Sequence, residues 1–300
     1  MGQVEEPTTA VGVGEKLGLS SKARHCVNDL LNHPAVQGGI APFVAALMVS
    51  LALGRVKLAG LAVIAAFCTA VYLISGFGFT PLTATRKIVL IALATPVIGV
   101  LVDFAFKPTR LGTAILALAA GAATLWVFWP VLQQKDLKMA MAMGGGAAVC
   151  VAWLVGFSFE ALSAHPVRAG AAGLGLGIGV GVSAVLGASA LYGQYGISLG
   201  AAAGAFLLPQ MISGRKYEAG ATFMLPLALT GGLLAAATLI LAQLPWYALL
   251  AFAFIPLAAR LPAPEKSPLW IQAVAVSACT LAVAAAAIAL TWQFAGGQSG

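Results

Sequence analysis

The chain has 300 residues, of which 61% are hydrophobic and only 8% are charged, and its formal net charge is +7. Because a soluble domain carries about 25% charged residues, this composition excludes a water-soluble globular protein. A basic excess in so apolar a chain is typical of the topology signals of membrane proteins, so we expect no nucleic-acid partner. The alternating ten-residue segments of a membrane barrel are absent, and we therefore predict an all-α fold surrounded by membrane lipids.

Residues 1–37 form a polar N-terminal tail that contains one candidate helix, at 20–33. Apolar residues recur there at helical spacing, Ser20 or Ser21 can cap the start, and Pro34 ends the segment. We predict an amphipathic helix that lies on the membrane surface before the first span. A short helix packed on the protein's own loops is the alternative.

Residues 38–294 consist of long apolar runs with short polar connections, which predicts a polytopic bundle of transmembrane helices. Residues 295–300 then form a short polar C-terminal tail. We expect about ten spans; nine is possible, because only QLPWY separates the eighth from a short ninth. The candidate spans are 38–54, 58–78, 88–106, 111–133, 139–162, 167–191, 195–213, 219–242, 246–260 and 268–294.

The loops between these spans carry the orientation signal. Ten spans place nine Lys and Arg residues on one side of the membrane and seven on the other. The positive-inside rule then puts the nine-positive side in the cytoplasm and both termini outside. The Ala- and Gly-rich composition favours a bacterial inner (cytoplasmic) membrane.

The sixth span contains an uncharged, glycine-rich run, AGAAGLGLGIGVGVSAVLGASALYG, at 169–193. Part of it fits a loose dinucleotide-binding fingerprint, but that motif needs an acidic residue about twenty positions later, and none occurs before Glu218. As a helix, the run presents two rows of small residues, which let neighbouring helices approach closely. We therefore predict that the sixth span is the central packing helix; static packing and a sliding surface for alternating access both fit. The rows are Gly173, Gly177 and Gly181, and Gly175, Gly179, Ser183 and Gly187.

Two acidic residues lie within the candidate spans, Asp103 near the end of the third and Glu160 near the end of the fifth. Odd-numbered spans run in the same direction, so both acids are expected at the same membrane face. Ionisable groups within a span are costly and are functional candidates. Lys107, one turn from Asp103, is its expected structural partner, and His165 is the expected partner of Glu160. Because Glu160 has the more apolar surroundings, it is the stronger candidate for binding a proton or a cation.

Prolines interrupt several spans and free backbone carbonyls that can line a cavity. Gln210 follows Pro209 in the seventh span, and Thr230 follows Pro226 in the eighth. These two polar side chains are candidates to contact a solute or a coupling ion. A kink that neighbouring helices relieve is the alternative.

The loop FTPLTATRK, at 79–87, combines hydroxyl groups with two adjacent bases, Arg86 and Lys87. Such a cluster can hold a lipid phosphate, so both residues are candidates for a lipid head-group site. A simple interfacial anchor is the alternative.

Catalytic and metal-binding patterns are absent from the sequence. The four cysteines are scattered without C-x-x-C spacing, which predicts apolar packing instead of a zinc site or a disulfide framework. A membrane serine protease needs a histidine on a span after the one that carries its serine, and no histidine follows His165. A diphosphate site needs paired Asp-rich motifs, whereas Asp103 stands alone. We therefore expect neither a cofactor nor a metal. The cysteines are Cys26, Cys68, Cys150 and Cys279.

Three functions fit these features. The first is a transporter or permease of a small solute, coupled to protons or cations through Glu160 and Asp103. The second is a non-catalytic membrane subunit or scaffold, which acts as a homo-oligomer or with a membrane complex partner. The third and weakest is a lipid-modifying enzyme. A transporter predicts a polar cavity that reaches the bilayer midplane beside Glu160 or Gln210, whereas a scaffold predicts a solid interior and an outer groove.

Overall fold

The computed structural model describes residues 29, 32–54, 58–105, 109–187, 189–242, 244–262 and 266–297. Every regular element in these ranges is a helix, in agreement with the predicted all-α fold. The predicted interfacial helix at 20–33 falls almost entirely outside the described residues, and so does Lys107.

Ten helical segments follow one another along the described chain, and eight of them are long and apolar enough to cross a membrane. The 21 residues of the helix at 220–240 extend for about 31 Å, which matches a hydrocarbon core of about 30 Å. In chain order the segments are α1 (Val36–Leu53), α2 (Ala59–Ile74), α3 (Ala84–Ala105), α4 (Arg110–Leu132), α5 (Leu137–Leu162), α6 (Pro166–Leu186), α7 (Ala190–Ser213), α8 (Gly220–Ile240), α9 (Trp246–Ala258) and α10 (Leu269–Gly297).

The two shorter segments, α2 and α9, end early for local reasons. α2 stops at Ile74, two residues before Gly76, whose positive φ of 65° turns the chain out of the helix. α9 breaks at Phe254. Pro256, two residues later, has no backbone N–H to donate into a continuous helix.

Contacts between helix ends show that the helices alternate in direction. At one end of the bundle, called here the Asp103 end, the Asp103 carboxylate of α3 accepts a hydrogen bond from the Ala221 amide at the start of α8 (2.7 Å). At the other end, called the Arg86 end, the hydroxyls of Thr85 in α3 and Tyr192 in α7 share a hydrogen bond (2.8 Å). α3 and α5 therefore both end at the Asp103 end, where the Gly220 amide donates to the Ser163 carbonyl (3.2 Å).

The central helix is α8. Every residue in its most apolar 18-residue window is buried, compared with 72% of that window in α6 and 61% in α7. We expected the sixth candidate span, α6, to be the central packing helix. α6 does pack closely on α7, α10 and α8, but α8 is the helix that is buried along its whole apolar window. α8 is apolar all round and reaches the centre because its neighbours are small where they meet it: Gly60 of α2, Gly99 of α3 and Gly173 of α6 all contact it without a side chain.

Candidate functional site

The first turn of α8 is capped by a side chain from another helix. Its N-cap residue, Ala219, has no side chain that can accept a hydrogen bond, and its first turn carries no acid. The Asp103 carboxylate accepts instead from the amides of Ala221 (2.7 Å) and Thr222 (2.8 Å), and from the Thr222 hydroxyl. These amides are among the four that a helix leaves unpaired at its start. A negative charge there also interacts favourably with the positive end of the helix dipole.

Two glycines allow this close approach. Gly99 lies one turn before Asp103, and a Cβ added to it would come within 2.8 Å of the Thr222 Cα atom. Gly220 has a φ of +58°, and a Cβ there would lie 2.5 Å from a carboxylate oxygen of Asp103. The geometry assigns Asp103 a structural task that the sequence did not reveal, because its partners lie more than a hundred residues away.

Glu160 and the basic residues that follow it in sequence lie at the Asp103 end of the bundle. Glu160 is exposed in the last turn of α5. His165, also exposed, lies at the start of α6 and lines a cavity of about 330 Å³ at the Asp103 end together with Arg168 and Lys216. Arg168 donates to the carbonyls of Ala259 (3.0 Å) and Leu261 (3.2 Å), which fastens α6 to the segment after α9. The pairing of Glu160 with His165 stays a prediction.

Gln210 is fully buried and holds the connection between α7 and α8. Its side-chain amide donates to the Phe206 carbonyl (2.9 Å), and its side-chain oxygen accepts from the Tyr217 backbone amide (3.0 Å). Thr230 is buried half-way along α8, inside the same bundle. Both polar atoms of the Gln210 side chain thus bond backbone groups of the protein itself.

The two rows of small residues on α6 face two different helices. A Cβ added to Gly177 would overlap the backbone nitrogen of Gly200 in α7, and one on Gly181 would lie 2.7 Å from the nitrogen of Ile197. In the second row, a Cβ on Gly175 would lie 2.9 Å from the Cβ of Thr280 in α10. The remaining glycines continue these contacts: Gly173 meets α7 and α8, Gly179 meets α9 and α10, and Gly187 meets Leu244.

Arg86 and Lys87 point in different directions at the Arg86 end. Arg86 is half-buried and lines a cavity of about 300 Å³, where its guanidinium donates to the Pro81 carbonyl (2.8 Å). Lys87 is only 8% exposed; its ammonium donates to the Trp126 carbonyl (3.1 Å) and lies 4.7 Å from the centre of the Trp126 ring. Of the two head-group candidates, Arg86 is therefore the one that faces a cavity.

A groove of about 480 Å³ runs along the outside of the bundle, between the end of α4 and the start of α5. The exposed side chains of Trp129, Leu137 and Met141 line it, with Lys135 at the Arg86 end. We call this surface the outer groove.

Comparison of the chain with protein-family models, with curated proteins and with solved structures finds no match. In the described part of the chain, no group of three or more His, Cys, Asp or Glu side chains lies together as metal ligands would.

Sequence reasoning missed the hydroxyl contacts at the Arg86 end. Ser75 and Tyr195 share a hydrogen bond of 2.7 Å between α2 and α7, parallel to the bond between Thr85 and Tyr192. The loop FTPLTATRK signals hydroxyl groups next to a base, but nothing in the sequence indicates that α7 supplies two tyrosines to the same place.

Proposed function

We propose that this protein is a non-catalytic membrane subunit, a rigid helical scaffold for a larger membrane-associated assembly. The observation that supports this proposal is the complete burial of α8, which fills the centre of the bundle. Carriers bind their solute near the bilayer midplane, at broken helices that line a cavity. Here the helix at that place is enclosed by packed side chains.

The polar groups of the interior also favour a structural role. Gln210 uses both its amide nitrogen and its oxygen for backbone partners. The hydroxyls of Thr124 and Thr238 each donate to a carbonyl of their own helix (2.8 and 2.7 Å). A solute would have to replace hydrogen bonds that the protein already makes, which is costly in a buried site.

A scaffold needs a surface for its partner, and the outer groove provides one. It exposes a large aromatic side chain and two aliphatic ones at the level where another membrane helix would pack. A second copy of this chain or a different membrane subunit fits such a surface, and membrane lipids cover it otherwise.

We further propose that α2 and α9 cross the membrane too, which makes ten crossings. α2 starts beside Phe223 at the Asp103 end and is followed by Ser75, which contacts Tyr195 at the Arg86 end. α9 is preceded by Leu244, which packs on Gly187, and is followed by Ala259, which binds Arg168. With the more basic Asp103 end in the cytoplasm of a bacterial cell, both termini lie outside.

Cysteine accessibility tests the rigid interior. In a variant whose four native cysteines are replaced, Ser198→Cys puts one thiol at a fully buried position of α7. We expect a membrane-impermeant maleimide to leave this thiol unlabelled from either side, with or without a proton gradient. Labelling from one side that changes with the gradient would contradict the scaffold, because it requires the interior to open alternately.

Exposed positions supply the control and test the topology. Ser213→Cys and Leu261→Cys are expected to react from one side, and His33→Cys and Leu82→Cys from the other. If Leu82→Cys reacted on the opposite side from His33→Cys, α2 would not cross the membrane.

The second candidate function is a carrier for a small solute, and one observation favours it: cavities lie at both ends of the bundle, and each contains an arginine. Uptake into proteoliposomes across a metabolite panel, with Glu160→Gln alongside, separates the two functions. A scaffold moves none of the solutes. Proton-linked uptake that Glu160→Gln abolishes would replace the scaffold proposal by the carrier.

A further inference from the structure

The cavity at the Arg86 end, called here the Arg86 cavity, has the features of a small-ligand site. It encloses about 300 Å³ between the loop that joins α2 to α3 and the first turns of α3 and α7. Tyr195, five residues into α7, and Val89, five residues into α3, line its inner part. A ligand held there is reached from the head-group region of a bilayer.

The charge of the Arg86 cavity selects an anion. Among the described residues that line it, Arg86 is the only charged one, and none is acidic. The hydrogen bond to the Pro81 carbonyl (2.8 Å) fixes the guanidinium and uses one of its five N–H donors. Gly78 leaves the guanidinium uncovered, since even a Cβ at that position would lie 3.5 Å from its Nη2 atom.

Hydroxyl groups complete the wall around this single positive charge. Ser75 and Tyr195 are joined by a hydrogen bond of 2.7 Å, and Thr83 and Thr85 also line the cavity. A hydroxyl donates once and accepts twice, so paired hydroxyls still have capacity to bind a ligand. One arginine fork with several hydroxyls suits a phosphate ester that carries hydroxyl groups of its own.

Apolar side chains beside the cavity indicate where such an ester would come from. Phe77 and Leu82 each lie between two cavity-lining residues of the loop, and the Tyr72 ring lies 6.4 Å from that of Phe77; all three side chains are about half-exposed. Large apolar groups at the edge of an anion site provide a surface for acyl chains. A water-soluble ligand lacks the acyl chains that would contact these side chains.

We infer that the Arg86 cavity binds the phosphate ester of a polyol, as found in the head group of an anionic phospholipid such as a phosphatidylglycerol. Arg86 would pair with the phosphate, and the hydroxyls of Ser75, Thr83 and Thr85 would contact the polyol. The inference goes beyond the scaffold proposal, because a fixed lipid is compatible with a scaffold and with a carrier.

The test measures ligand binding to the delipidated full chain in a neutral detergent. Binding is detected as a rise in the unfolding temperature and as a protein–ligand mass in native mass spectrometry. The probes are dioctanoyl phosphatidylglycerol, dioctanoyl phosphatidylcholine, sn-glycerol 3-phosphate and inorganic phosphate. We expect the phosphatidylglycerol to bind best. Arg86→Gln should weaken it by about tenfold or more, the usual effect of a lost charge-assisted hydrogen bond.

Lys138→Gln is the matched control, because Lys138 is exposed at the same membrane face, carries the same charge and does not line the cavity. It should change the affinity less than about twofold. Equal losses in the two variants would overturn the inference, since they would show attraction to net charge alone. Tight binding of glycerol phosphate with no preference for the lipid would instead assign the site to a soluble ester.

A second variant covers the case in which Arg86→Gln does not fold. Gly78→Val keeps every charge and adds a side chain over the guanidinium at an exposed loop position. It should block the phosphatidylglycerol while the protein stays monodisperse. Unchanged binding in Gly78→Val, or no binding of any phosphate ester to the original protein, would also overturn the inference.

Discussion

The inner helices α6 and α7 and the outer helices α3 and α4 are all apolar enough to cross a membrane, yet they differ in burial. More than 60% of each inner window is buried, compared with 33% in α3 and 28% in α4. What separates the two groups is residue size: α6 has six glycines and α7 four, whereas α3 has one and α4 two. In lipid, apolarity does not drive helices together, so a glycine favours burial only where it meets a neighbouring helix. α5 also has four glycines, but only 33% of its window is buried, and a Cβ on Gly145 or Gly146 would meet no atom within 4 Å.

The strongest test of this comparison is Gly177→Ala in α6. The added methyl group would overlap the backbone of Gly200, which cannot move aside as a side chain can. We expect a loss of about 3 kcal/mol or more, seen as a large fall in the unfolding temperature in detergent.

The matched control is Gly146→Ala in α5, where no atom outside the local backbone lies within 4 Å. The same change there should be neutral or should stabilise the helix by up to about 1 kcal/mol. Similar losses at both positions would show that glycine is needed for reasons other than close packing.

The same physical rule explains what could be predicted from the sequence. The all-α fold follows from the long apolar runs. The contacts that α6 makes with α7 and α10 follow its own glycine rows. The central position of α8 cannot be predicted from the sequence of α8, because the small residues that let it pack there belong to other helices, such as Gly60 and Gly99. A single sequence shows where a helix has small residues, but it does not show which neighbouring helices contact them.

The sequence likewise indicated some of the candidate site residues and not the contacts of others. A loop with hydroxyls and two bases predicted an anion site, and Arg86 lies in a cavity of that composition. Asp103 had only Lys107 as a visible partner, because a spacing of four residues is all that a helix pattern reports. Its actual acceptor role at Ala221 and Thr222 depends on the packing of α3 against α8.

The second prediction compares the two acids at the Asp103 end. Asp103→Ala removes the acceptor of two amides and a hydroxyl at the start of α8 and should cost about 2 kcal/mol. Asp103→Asn keeps one acceptor oxygen and should cost about half as much. Glu160→Gln, at an exposed position, should change the unfolding free energy by less than about 0.5 kcal/mol. A larger effect at Glu160 than at Asp103 would reverse their assigned roles.

The third prediction separates backbone strain from crowding. Gly214 and Gly220 have nearly the same positive φ, 66° and 58°. Gly214→Ala meets nothing within 4 Å and should cost about 1 kcal/mol from strain alone. Gly220→Ala also drives a methyl group into the Asp103 carboxylate, so it should cost about 2 kcal/mol. In the Asp103→Ala background this excess should disappear, and its persistence would exclude the carboxylate as its cause.

The smallest expected effects distinguish a buried hydroxyl in the outer helix α1 from one in the inner helix α7. Ser50 and Ser198 are both fully buried, but only Ser198 donates to a carbonyl, that of Tyr195 (2.7 Å); the Ser50 hydroxyl has no partner among the described residues. Ser198→Ala should therefore cost about 0.5 to 1 kcal/mol, whereas Ser50→Ala should stabilise the protein by a similar amount, because it removes an unsatisfied polar group. Equilibrium unfolding of both variants in the same detergent checks the signs. Opposite signs would show that the Ser50 hydroxyl is an unsatisfied polar group and the Ser198 hydroxyl a satisfied one. Equal signs would mean that Ser50 has a partner that compensates its burial.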